Sequence, residues 1–154
     1  MLVRNPVTSV ANGGRSPKDN GPLGITSDGA GNLYFTDTVA IRKVVIATGA
    51  ITTIAGASER GTADGTGTAA RFSTPRGIAS DGAGNLYVAV GNTIRKIATA
   101  TATVATVVGS PGRIGVTAGA LPASLNEPHG VVVLPTGELA IVDASENAVL
   151  IAHF

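Results

Sequence analysis

The same eight residues, Ser-Asp-Gly-Ala-Gly-Asn-Leu-Tyr, stand at Ser27–Tyr34 and again at Ser80–Tyr87. The offset of 53 holds elsewhere. Gly24, Gly77 and Gly130 keep it, and so do Gly31, Gly84 and Gly137. Ile41-Arg42-Lys43 returns as Ile94-Arg95-Lys96, and Thr53-Ile54-Ala55-Gly56 returns as Thr106-Val107-Val108-Gly109. Several independent anchors in one register exclude coincidence, and a period of this length points to stacked supersecondary units.

Each unit reads as four short strands. The first strands are GITS, GIAS and GVVVL, starting at Gly24, Gly77 and Gly130. DGAGN follows in two units; its Asp can bond its own backbone and its glycines tolerate positive φ, so it marks a turn. NLYFTD, NLYVAV and ELAIVD are the second strands, AIRKVVIA, TIRKIATA and AVLIAHF the third, AITTIAG and VATVVGS the fourth. No 3.6-residue period runs over 11 residues, so helices are not expected. The chain is poor in aromatic residues and rich in Gly, Ala and Thr. A core of small and β-branched side chains suits sheets.

Four strands in about 40 to 50 residues is the pattern of a β-propeller blade. Here the chain resembles the NHL-repeat family. The residues that carry the likeness are Pro75-Arg76-Gly77-Ile78, Asp81-Gly82-Ala83-Gly84-Asn85-Leu86-Tyr87-Val88, Ile94-Arg95-Lys96-Ile97 and Thr106-Val107-Val108-Gly109. The resemblance covers nearly the whole chain and implies an all-β propeller with three blades. The units run 21–73, 74–126 and 127–154, the last without its outer strand. Residues 1–20 would hold a closing strand, Pro6–Asn12, and a loop. Three blades close a ring poorly, since four to eight are usual. Two chains related by a twofold axis would give six, with the first strand of one completing the last blade of the other. The other reading is a piece of a longer product or of a larger ring.

Composition narrows function mainly by exclusion. A net charge of +1 with scattered Lys and Arg gives no nucleic-acid footprint. With no cysteine, disulfides, thiolate metal sites and a Cys nucleophile are excluded. No apolar run reaches the roughly 18 residues of a membrane span. Arg4 and Pro6 interrupt what would be the apolar part of a signal peptide. The expectation is a cytoplasmic chain as written, or a secreted one if a leader is missing. DGAGN lacks the alternating carboxylates of an EF-hand loop. GTGTAA at 65–70 lacks the strand-to-helix setting of a dinucleotide fingerprint and reads as a connecting loop. The 57–72 stretch, with Glu59, Arg60, Asp64 and Arg71, reads as an exposed linker with ion pairs of little net worth. Asp37 and Asp143 share a frame position at the end of the second strand, where the resemblance to NHL repeats implies an Asp that fixes the following turn; Val90 replaces them in the middle unit. One residue of each Arg-Lys pair in the third strands should point outward and the other brace a neighbouring blade.

The candidate site residues are those that break the repeat. Leu23, Arg76 and His129 all precede the first-strand glycine, yet differ. Pro128-His129 is similar to the Pro-His that opens innermost strands in the peptidylamidoglycolate lyases, a resemblance that would imply zinc held by three histidines. Only one unit of three carries the His, so that set cannot assemble in the same way. Glu127 stands where the other units have Thr74 and Gly21. Two functions are expected. One is a binding or scaffold module that holds a peptide, glycan or small molecule at the channel or ring face, with Leu23, Arg76 and His129 as contacts and Arg76 as an anion or carbonyl anchor. The alternative is a calcium-dependent hydrolase of a lactone or ester. The gluconolactonase and paraoxonase propellers are similar to this chain in architecture alone, and that likeness implies a channel calcium. Asn126 and Glu127 would ligate it, the metal would polarise the carbonyl, and His129 would be the base. A zinc-dependent lyase ranks third.

Overall fold

A computed structural model describes residues 21–117, 119–120 and 123–154; the expected closing strand Pro6–Asn12 lies outside them. The described residues form three antiparallel sheets and no α-helix. The first sheet is β1 (Ile25–Ser27), β2 (Asn32–Asp37), β3 (Ala40–Val45) and β4 (Ala50–Gly56), in sequence order. The middle sheet holds β6 (Pro75–Ser80), β7 (Asn85–Val90), β8 (Thr93–Ala98) and β9 (Thr103–Gly109), with β5 (Gly65–Thr66) added outside β9. The third holds β10 (Pro128–Val133), β11 (Leu139–Asp143) and β12 (Ala148–Ala152).

The repeated octapeptide is a turn with its own hydrogen-bond set. Asp28 accepts from the amides of Ala30 and Asn32, at 2.8 and 3.1 Å, and from Asn32 Nδ2 at 2.6 Å. Asp81 repeats this with Ala83, Asn85 and Asn85 Nδ2, at 2.8, 2.9 and 2.6 Å. The hydrogen bonds from Asn32 hold the Asp28 carboxyl below its ordinary range. Burial raises the Asp81 carboxyl, but the Asn85 side chain and the two amides outweigh it, and the net direction is also down. Gly29, Gly31, Gly82 and Gly84 all take positive φ, between 68° and 97°.

The first-strand glycines serve another purpose, letting successive inner strands touch backbone to backbone. A Cβ on Gly24 would strike the Arg76 carbonyl and Gly77 Cα. One on Gly77 would strike the His129 carbonyl and Gly130 Cα. Thr36 Oγ1 also donates to the Arg76 carbonyl at 2.9 Å. Two apolar cores follow from this stacking. Tyr34, Ile41 and Ala55 of the first sheet meet Ile78, Leu86, Val88 and Ile97 of the middle one. Tyr87, Ala89, Ile94 and Val108 then meet Leu139, Ile141 and Ala152 of the third. The middle sheet is thus covered on both faces.

The 57–72 stretch is largely exposed, as its charges suggest, but it is more than a linker. It contributes β5, a 3₁₀ turn at Gly67–Ala69, and Phe72, which is fully buried in the first core. Arg95 is the reason. Its side chain is 1% exposed. Nε and Nη2 donate to Asp64 Oδ1 at 3.0 and 2.6 Å, Nη2 also donates to the Ala63 carbonyl, and Nη1 to that of Arg71. The guanidinium lies 4.6 Å from the Phe72 ring centroid. A buried cation must have its donors satisfied, and this loop satisfies them. Arg95 therefore braces the loop between two sheets, while Lys96 reaches out over Tyr87 at 5.9 Å.

Candidate functional site

The three positions that break the repeat start neighbouring inner strands. Gly24 lies on the carbonyl of Arg76, and Gly77 on that of His129, so residues 23, 76 and 129 follow one another along the inner edge. Leu23 is exposed. Arg76 and His129 converge on Glu127. Arg76 Nη2 donates to Glu127 Oε1 at 2.7 Å, and His129 Nε2 lies 3.5 Å from the same oxygen. The other oxygen, Oε2, accepts from Ser145 Oγ at 2.7 Å. The Ser145 and Arg76 hydrogen bonds, with the charge of Arg76, hold the Glu127 carboxyl below its ordinary range.

Asp143 sets the backbone beneath this group. It is fully buried. Its carboxylate accepts from the amides of Asn126 and Glu127 at 2.7 and 3.0 Å. Rather than fixing the turn that follows it, as its frame position suggests, it fixes the loop that enters its own sheet. Its frame twin Asp37 behaves as expected and accepts from the Thr38 amide at 2.8 Å.

Beside the Arg76–Glu127 pair lies a cleft of about 410 Å³, between the middle and third sheets; Thr74, Asn92, Ile114 and Asn126 also line it. Three features set it apart. Arg76 Nη1 is buried and, among the described residues, has no hydrogen-bond partner. Thr74 holds a φ of 54°, a left-handed conformation costly for a β-branched residue. Asn92 is locked by its own hydrogen bonds, Nδ2 donating to the carbonyls of Ser110 and Arg113 and Oδ1 accepting from the Gly112 amide.

The Asn126 side chain donates from Nδ2 to Glu146 Oε1 at 2.8 Å. A calcium ion needs six to eight oxygens, whereas both Glu127 oxygens are engaged and the nearest charge is a guanidinium. Among the described residues no three His, Asp or Glu side chains cluster as a metal site. The residues present do not fit a calcium ion at Glu127. The second histidine, His153, pairs with Glu138.

Ser145, Glu146, Thr74 and Asn92 do not stand out in the sequence. A signal for the first two exists. Val90 pairs with Thr93 across a two-residue turn, whereas Asp143 pairs with Ala148 across four. The two extra residues bring Ser145 and Glu146 to the site.

No protein-family model matches the chain, and no curated protein matches it. Solved structures do. A protein of unknown function from Bacteroides thetaiotaomicron is similar at 26% identity and a TM-score of 0.70, over 79% of this chain and 32% of its own. An auxiliary nutrient binding protein from the same organism is similar at 20% identity and a TM-score of 0.69, over 84% of this chain and 37% of its own. A streptogramin B lyase is similar at 15% identity and a TM-score of 0.51, over 88% of this chain and 52% of its own. The chain thus spans about a third of the first two and about half of the third. No helix among the described residues is long and apolar enough to cross a membrane. The three antiparallel sheets, with solved neighbours of this kind, make the fold β-propeller-like.

Proposed function

We propose that the chain is an NHL-type propeller segment that works as a binding module, with its ligand in the cleft beside Arg76 and Glu127. The observation that carries this reading is the Arg76 side chain in the cleft wall, held by Glu127 through Nη2 and still about a third exposed. A carbonyl or carboxylate oxygen of a bound molecule would take a charge-assisted hydrogen bond from its guanidinium. Glu127 balances the charge of Arg76, so the pocket suits a small polar molecule or peptide end rather than a polyanion. Ile114 supplies apolar surface and the locked Asn92 a rigid wall. Strain at Thr74 is a further mark of a site held ready. Nutrient binding by a structural neighbour agrees with this reading.

The test is a titration with free sugars, hydroxy acids and short peptides at millimolar concentration, followed by amide chemical shifts. At least one of these classes should move the amides of Thr74, Arg76, Asn92 and Glu127, and Arg76→Ala should abolish the change. Absence of any shift at these amides would overturn the reading. So would lactone opening that is lost with chelator and in Glu127→Ala, which would favour the hydrolase.

A further inference from the structure

Among the described residues, Gly130 has no neighbour that requires a glycine. Its frame partners Gly24 and Gly77 cannot carry a Cβ, because the next inner strand's backbone is in the way. A Cβ on Gly130 would meet only the Val142 side chain, at an ordinary 3.7 Å. Its φ lies outside the left-handed region that favours glycine. The position keeps the repeat's residue while, among the described residues, nothing fills the place taken by the Arg76 carbonyl at Gly24 and by the His129 carbonyl at Gly77.

The side chains around it show the same vacancy in apolar area. On the face of the middle sheet that meets the third, Ala89 and Ile94 are fully buried. Their structural counterparts in the third sheet, Val142 and Val149, are 47% and 70% exposed. Val132 beside them is also exposed. At the opposite end, Ile78 of the middle sheet is 7% exposed, whereas its counterpart Ile25 in the first sheet is 64% exposed. Leu23 is exposed with it, and Leu33 and Phe35 are half-buried. Among the described residues there is thus one unused copy of each half of a joint that the chain makes twice.

We propose that the exposed face of the third sheet, centred on Gly130, Val132, Val142 and Val149, docks the Leu23–Phe35 face of a second copy of this chain. The joint repeats the geometry of the two within the chain, with the Leu23 carbonyl of the second copy over Gly130. The twofold partner makes the same contact in return. Two copies give six blades, inside the usual range of four to eight; three would give nine. Burial of these residues supplies the driving force. The joint is separate from the ligand cleft, which lies between the middle and third sheets of one chain.

Light scattering on the eluting protein at micromolar concentration decides it. The wild type should show twice the chain mass of 15.2 kDa. Gly130→Leu, whose Cβ would meet only the Val142 side chain among the described residues, should keep the strand-rich circular dichroism and fall to the single-chain mass. Val142→Glu should dissociate likewise and serves if Gly130→Leu does not fold. A wild-type mass of one chain would overturn the proposal, and it is the result expected if residues 1–20 cover the face instead. A Gly130→Leu protein that stays dimeric would overturn the placement of the joint.

Discussion

The middle sheet and the two outer sheets are written in nearly the same residues yet live in different surroundings. NLYVAV of β7 is buried at every position after its first, whereas NLYFTD of β2 alternates and ELAIVD of the third unit leaves Val142 open. Pattern within a strand does not set this difference; the number of neighbours does. A strand covered on both faces reads as continuously apolar, and one covered on a single face can tolerate alternation. The uncovered faces do not use that tolerance: the third sheet's carries Val132, Val142 and Val149, and the first sheet's Leu23 and Ile25. Exposed apolar faces of this kind mark contact sites.

The largest break between the regions is expected from core truncation. Leu86→Ala, at a fully buried position, should lower stability by about 2–5 kcal/mol in denaturant titration. Leu33→Ala, at the same frame position in the first sheet, should cost the chain less and instead lower the fraction of the proposed dimer. Next comes the arginine pair. Arg95→Met removes the cation that holds Asp64 and the 57–72 loop; breaking such a buried pair costs about 3–5 kcal/mol at most, and the half-exposed Asp64 puts this one at the lower end. Among the described residues Arg42, its frame twin, reaches only Asp37, at 4.0 Å. Arg42→Met should change stability by less than about 1 kcal/mol. Gly77→Ala should cost about 1–3 kcal/mol through backbone collision, and Gly130→Ala should leave the melting of the single chain unchanged.

The smallest effect is electrostatic. The Glu127 carboxyl is held below its ordinary range, so it binds fewer protons folded than unfolded near pH 4. Its contribution to stability is therefore present above the unfolded value, about 4.3, and is lost as pH falls through the lower folded value. Ser145→Ala should raise the Glu127 titration midpoint, followed by carboxyl carbon shifts in NMR.

The fold is legible in the sequence because the repeat carries its own ruler. Strand order, the Asp28 and Asp81 turns and the inner glycines all follow from residues that recur. What does not recur is half legible. Arg76, Glu127 and His129 stand out as departures from the frame, and they do meet. The pairing of Arg95 with Asp64 is not legible, because it links residues 31 apart through a loop with no repeat partner. Nor is Asn126 turning to Glu146, since that depends on a turn two residues longer than its counterpart. A residue type in a promising place names a capability; its hydrogen-bond partners decide whether the capability is free.

Amide hydrogen exchange on the wild type and on Gly130→Leu at equal concentration tests most directly whether the outer faces are completed by a second copy. If they are, β10 and β11 exchange faster in the variant and β1 and β2 do so as well, while β7 keeps its protection. Equal exchange in all of these strands in both proteins would contradict a completing copy.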